Sequence, residues 1–200
     1  MNWFDDRIIL RLNHLVDKSD ILDRIMILLA TDYFIPVVIA LMLLALWFMG
    51  RDASERERNQ RALMIAATAM GSACGFVLAA NHLWPGRHHP FEDMPQLMLA
   101  VKHIAYPIHD PTFPSNTSAV TFAAAASVWQ WNRRMGLLLL IPAILMPLAK
   151  MYAGLYYPTD ILAGAALGIA TGYFISKVAM PWFEPIISRV LKALRKLCLA

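Results

Sequence analysis

Charge is what this 200-residue chain has least of. Asp, Glu, Lys and Arg make up 16% of it and hydrophobic residues 58%, against roughly 25% and 45–50% in soluble domains. Its mean hydropathy is +0.50. A soluble domain of this size leaves much of its area in water and has no interior large enough to hide so much apolar surface. Cysteine is scarce too. Cys74 lies in an apolar stretch and Cys198 in the C-terminal tail, so no disulfide framework is implied. The net charge of +4 is too small to point to nucleic acid and matches the basic bias of membrane loops. These shortages exclude a soluble globular domain, a disordered chain and a secreted disulfide scaffold. An integral membrane protein remains, of all-α class: a polytopic helical bundle.

Asp5 and Asp6 precede any apolar run, so no cleavable signal is expected at the N-terminus. Five stretches, 31–49, 62–83, 114–131, 136–153 and 160–180, approach the roughly 17–25 helical residues that cross a hydrocarbon core of about 30 Å. The first begins earlier if Asp23 and Arg24 are accommodated, since 21–30 is also apolar. The expected organisation is a single membrane domain over 1–200. An interfacial helix occupies 1–20, the bundle 21–180, and a basic amphipathic helix 182–200. In that last segment Phe183, Ile186, Ile187, Val190, Leu191, Leu194, Leu197 and Cys198 recur at helical spacing, with Arg189, Lys192, Arg195 and Lys196 between them. That pattern suits a helix lying on anionic lipid, and 3–16 is a weaker version. The alternative for both is packing against the bundle.

Basic residues set the expected orientation. Arg51, Arg56, Arg58 and Arg61, then Arg133 and Arg134, then Lys177 with the basic tail, all fall on one side if five spans cross. The positive-inside rule makes that side cytoplasmic. The N-terminal segment, the 84–113 loop and the 150–159 turn then face outward, in a bacterial inner membrane. Gly71 and Gly75 in the second stretch, and Gly164, Gly168 and Gly172 in the fifth, have the four-residue period that lets helix backbones approach closely in lipid.

Polar residues gather at the outer end. Asn81, His82, Arg87, His88, His89, Glu92, Asp93, Lys102, His103, His109 and Asp110 lie in or beside the long loop. Pro114-Ser115-Asn116-Thr117-Ser118 opens the third stretch, and Lys150, Tyr152, Tyr156, Tyr157, Thr159 and Asp160 join the fourth to the fifth. Ser, Asn and Thr are good helix caps, and a helix start carries unpaired N–H groups that receive phosphate. Capping alone is the plainer alternative. Asp160 places a carboxylate at the equivalent position of the next helix.

These residues carry a resemblance. The chain resembles the phosphatidic acid phosphatase type 2 superfamily, especially its small bacterial members acting on undecaprenyl pyrophosphate, over about residues 20 to 180. The family's motifs run Lys-x6-Arg-Pro, Pro-Ser-x-His and Ser-Arg-x5-His-x3-Asp. Here the first falls on the stretch from His82 to His89-Pro90, the second on Pro114-Ser115-Asn116-Thr117, and the third on the stretch from Ala149-Lys150 through Tyr156 to Asp160. The resemblance implies a phosphohistidine nucleophile where this chain has Tyr156, oriented by the retained Asp160. It implies a histidine acid where Thr117 stands, and cationic clamps where His82, His89 and Lys150 stand. Five functional side chains are thus replaced, while Ser115 and Asp160 match.

Loss of a nucleophile from a concerted unit costs on the order of 10⁶ in kcat, and loss of a general acid roughly 10²–10⁴. Tyrosine, with an ordinary pKa near 10, is a poor nucleophile without a base beside it. The expectation is therefore a degenerate, non-catalytic member that binds a lipid phosphate or serves as an accessory subunit of a membrane assembly. Ser115, Asn116, Thr117, Lys150 and Asp160 are the residues expected to hold an anion. Trp47, Trp84, Trp129 and Trp131 suit packing against lipid or a protein partner, with an oligomer also open. The alternative is a divergent lipid phosphatase or phosphotransferase in which His88, His89 or His109 replaces the nucleophile or acid. A third reading makes His82, His88, His89, His103 and His109 ligands of a metal or haem. Their spacing fits no metal signature, so neither metal nor cofactor is expected. Lys150 has two candidate partners, Asp160, which would shut the pocket, and an anion at Ser115.

Overall fold

The computed structural model describes residues 3–83, 86–97, 101 and 110–196, and among these every regular element is helical. Trp84, Lys102, His103, His109, Leu197 and Cys198, singled out above, lie outside the described residues. The order is α1 (Trp3–Asn13), α2 (Asp20–Ala30), α3 (Phe34–Phe48), α4 (Ala53–Leu83), the single turn α5 (Pro90–Asp93), α6 (Asn116–Trp129), α7 (Arg133–Tyr152), α8 (Pro158–Phe174) and α9 (Met180–Lys196). A short π-helical stretch, Ile175–Ala179, joins α8 to α9.

The apolar run at 21–49 is two helices bent by 60°. Pro36 has no N–H to donate back to the 32 carbonyl and its ring would crowd that carbonyl. The chain breaks just before it, where the Thr31 hydroxyl donates to the Leu28 carbonyl and accepts from the Phe34 N–H. Among the described residues three helices, Ala53–Leu83, Arg133–Tyr152 and Pro158–Val178, are long and apolar enough to cross a membrane, and a fourth span arises if the bent pair counts as one. The 114–131 stretch forms a helix of only 14 residues, about 21 Å long at 1.5 Å per residue.

That short helix is the centre of the bundle, touching α4, α7 and α8. Its buried face is Ser118, Ala119, Thr121, Ala123, Ala124, Ala125, Ser127 and Val128, small side chains that bring neighbouring backbones close. The glycines of α8 complete the fit. A Cβ on Gly164, Gly168 or Gly172 would collide with the carbonyl oxygens of Ser115, Ala119 and Ala123 in turn. Gly71 and Gly75 behave differently, because a Cβ at either would meet nothing within 4 Å. Ile35, Ile39, Leu43 and Leu46 of α3 pack on Ala62 and Ala66 of α4 and on Leu139, Ala143 and Met146 of α7. Leu78, Ile141 and Leu162 face outward, as a lipid-facing surface requires.

The terminal helices are held differently from each other. In α1, Asp5 and Ile9 are fully buried against the bundle while Trp3 and Phe4 stay exposed. In α9, Ile187 and Leu191 are buried in one core with Ile65 and Ala69 of α4, while Trp182 and Ile186 point away. Glu184 adds a short ion pair to Arg61 of α4.

Candidate active site

Ser115 ends the extended approach to α6 and caps it. Its hydroxyl accepts from the Ser118 N–H at 3.4 Å and from the Ser118 hydroxyl at 3.3 Å. Its own N–H donates to the Asp160 carbonyl at 3.1 Å. With Gly164 against its carbonyl, the starts of α6 and α8 are locked together, and Ser115 is fully buried. Asn116 and Thr117 follow, half-buried, with the Asn116 Oδ1 enclosed and unpartnered among the described residues.

Asp160 is held from two sides. One carboxylate oxygen accepts from the Tyr157 N–H at 3.1 Å, capping α8, and the other from Arg87 Nη1 at 3.2 Å. Arg87 also donates to Thr159 Oγ1 at 2.8 Å and to Asp5 Oδ2 at 2.9 Å, and its guanidinium lies 3.6 Å from the centre of the Tyr157 ring. Asp5 in turn accepts from the Thr159 N–H and hydroxyl at 3.2 and 2.7 Å. Burial pulls the Arg87 pKa down, but Asp5 and Asp160 outweigh it and the guanidinium is held still more firmly charged. One cation is therefore shared between two buried carboxylates.

The second cation is engaged too. Lys150 Nζ, 5% exposed as a residue, donates to Asp32 Oδ1 at 2.6 Å from the break between α2 and α3. Lys150 thus pairs neither with Asp160 nor with Ser115. Asp160 is already satisfied by Arg87, and Asp32 reaches Lys150 first because the bend before α3 turns it over the end of α7. Nearby, the Tyr152 hydroxyl donates to buried Asp23 at 2.6 Å.

Tyr156, at the position where the resemblance implies a nucleophile, is 4% exposed. Burial first, then the Asp110 carboxylate, raise its phenol above the ordinary range, and the side chain that bonds to it is Thr117. It is a phenol facing a hydroxyl, and among the described residues the side chain bonded to it is Thr117 rather than a base. His89 packs edge-on against it at 5.8 Å and stacks on Phe91 at 5.2 Å. His89 Nδ1 lies 2.6 Å from the Leu155 carbonyl, which can only accept, so Nδ1 carries a proton. Nε2 is turned to Asp110 at 3.7 Å, an ion-pair distance too long for a hydrogen bond. Burial lowers the His89 pKa, but Asp110 and the Leu155 carbonyl overcome it, so the net shift is upward. His89 in turn holds Asp110 below the usual carboxylate range.

Two of the altered positions are thus brought against each other, His89 and Tyr156, with Thr117 on the tyrosine and Lys150 near Asp110. His82 is not among them. It is exposed on the last turn of α4, without a hydrogen-bond or ion-pair partner among the described residues. His88 is exposed and faces Glu92 at 3.3 Å. Among the described residues no three His, Cys, Asp or Glu side chains converge as metal ligands. The sequence reading passed over Asp5 and Asp32 as site residues and left Arg87 among loop polar groups. The one signal for Arg87 was its place two residues before His89, inside the first motif.

A Bacillus subtilis (strain 168) protein described as undecaprenyl-diphosphatase BcrC is 28% identical over 179 residues, covering 88% of this chain and 86% of its own. A Bacillus licheniformis protein described as bacitracin transport permease protein BcrC is 22% identical over 177 residues, covering 88% and 79%. The fold matches the crystal structure of a transmembrane PAP2-type phosphatidylglycerolphosphate phosphatase from Bacillus subtilis, with a TM-score of 0.53 and 14% identity over 87% of this chain and 85% of that one. With the PAP2 superfamily pattern matched over residues 62–184 and its motif segments gathered at one end of a membrane-spanning bundle, this chain belongs to the PAP2 superfamily.

Proposed function

We propose that this protein keeps the lipid phosphatase pocket as a binding site and has lost hydrolysis. The observation that carries the reading is Tyr156. A buried phenol facing the Thr117 hydroxyl, its pKa raised by burial, resists becoming a phenolate, and the Thr117 hydroxyl is too weak an acid to protonate a leaving oxygen as histidine would. Phosphoryl transfer also needs free cations around the equatorial oxygens. Here Arg87 is bound by Asp5 and Asp160, and Lys150 by Asp32. The ligand class is a lipid phosphate, received at Lys150 and the Ser115–Thr117 helix start when the exposed Asp32 carboxylate swings away. The basic loops support an outer-facing pocket in a bacterial inner membrane, with α1 and α9 flanking the bundle at its interfaces and an accessory role beside a membrane partner. Phosphate release from undecaprenyl pyrophosphate, phosphatidic acid and lysophosphatidic acid by the purified protein tests this, with a Ser115→Ala, Asp160→Ala double variant as blank.

A second reading rests on His89. With Nδ1 committed to the Leu155 carbonyl, a neutral His89 presents its lone pair at Nε2, close to Tyr156, as a surrogate base or nucleophile. It predicts turnover above the blank that Asn or Ala at His89 abolishes.

A further inference from the structure

The end of the bundle opposite Ser115 carries two adjoining cavities that no part of the phosphatase pocket uses. One, of about 230 Å³, is an apolar trough walled by Phe122, Ala125, Ala126, Leu140 and Ile169. The other, of about 330 Å³, is bounded by Arg133 and Lys177. Trp129, Gln130 and Tyr173 line both, so the two share a wall. No carboxylate lines either, and neither Arg133 nor Lys177 has an ion-pair partner among the described residues.

Three independent features point to one kind of occupant. The first is shape and polarity, since the trough takes hydrocarbon while two unpaired cations wait at its mouth. The second is Gln130. Its side-chain oxygen and nitrogen are both shielded from solvent, and neither has a partner among the described residues. A buried amide left unmade is costly, so a ligand that supplies both an acceptor and a donor there is favoured. The third is the start of α7. Arg133 and Arg134 occupy its first turn, which holds no acidic residue. They add positive charge to a helix end that is already positive, and an anion relieves both. Trp129 and Tyr173 are amphipathic rings of the type that sit at head-group level.

We infer that this groove holds one anionic glycerophospholipid whose head group carries a hydroxyl. An acyl chain lies in the trough, the phosphate between Arg133 and Lys177, and the head-group hydroxyl and a phosphate oxygen complete Gln130. Choline, which has no hydrogen-bond donor, leaves the Gln130 oxygen unsatisfied.

Native mass spectrometry of the full-length protein tests this, with an equimolar mixture of dioleoylphosphatidylglycerol and dioleoylphosphatidylcholine added in mild detergent. One phosphatidylglycerol is expected to be retained at least roughly tenfold in preference to phosphatidylcholine. The preference should vanish in Arg133→Ala, Lys177→Ala and persist in Arg189→Ala, Lys192→Ala, whose charges lie on α9. Gln130→Leu keeps the volume and both cations and should lower the preference on its own, so the test survives if the double variant fails to fold. Equal retention of the two lipids overturns the site, as does a preference unaffected by both Gln130→Leu and the double variant. Soluble glycerol phosphate displacing the lipid at equal concentration would remove the trough from the account and overturns it as a lipid site.

Discussion

Asp32 is the carboxylate that holds Lys150. Its Oδ1 is 2.6 Å from Lys150 Nζ, yet the Asp32 side chain is 71% exposed while that of Lys150 is 6% exposed. A buried cation is thus served by a carboxylate on a surface hinge, between two helices bent by 60°. Such a carboxylate is easily displaced, because swinging it into water costs it little solvation.

Asp32→Asn should therefore tighten binding of a lipid phosphate. Charge-assisted contacts contribute roughly 1.5–3 kcal/mol, so removal of the internal competitor should raise lysophosphatidic acid affinity about tenfold or more. Lys150→Ala should abolish the gain. Equilibrium binding in detergent measures both, and unchanged affinity in both variants would show that Lys150 does not receive the phosphate.

Arg87 plays the other part, as a structural cation rather than a clamp. Loss of one partner leaves a buried carboxylate uncompensated. Arg87→Leu should destabilise the protein by roughly 2–4 kcal/mol, at the low end of buried pairs because the arginine is a quarter exposed. Asp5→Ala should release α1 from the bundle with a smaller loss. Thermal unfolding and protease sensitivity near residue 13 report these separately.

The glycine pattern separates packing from composition. Gly168→Ala places a methyl against the Ala119 carbonyl and should cost about 1–3 kcal/mol, with α6 and α8 forced apart. Gly71→Ala and Gly75→Ala meet open space and should be neutral, or stabilise by up to about 1 kcal/mol through helix propensity. Unfolding midpoints in one detergent compare all three.

The His89–Asp110 pair predicts a pH window. His89 is raised above its ordinary value near 6.5, so its contribution is complete below that value and is lost as pH climbs through the raised one. Asp110 is lowered, so its contribution is lost only as pH falls through a value below the ordinary 3.8. The pair should add stability in mildly acidic buffer and lose it as pH rises through the raised His89 value. Asp110→Asn should flatten that slope, which unfolding midpoints across pH would show.

How much of this was legible in the sequence depends on range. The helices follow from apolar runs, and the four-residue glycine period marked a close-packing face on α8 without naming its partner, because each feature is local. The same period misled at Gly71 and Gly75, since spacing does not say which face of a helix meets a neighbour. Pro36 sat in the run that breaks, but its meaning depended on Thr31 and Asp32 before it. Lys150 offered two partners in sequence and took a third, 118 residues away. Asp5 is read in the sequence only as a charge before the first apolar run, and Arg87, 82 residues on, together with Thr159 explains its burial. Ion pairs across such distances leave no periodic trace.

Tyr156 and Thr117, at the positions where the resemblance implies nucleophile and acid, are proposed to leave this PAP2 pocket unable to hydrolyse. Phosphate released by the purified protein from undecaprenyl pyrophosphate, set against the Ser115→Ala, Asp160→Ala blank, tests it most directly. Release equal to the blank is the predicted result. Sustained release well above the blank, lost on His89→Ala, would contradict it and make His89 the group that took over the chemistry.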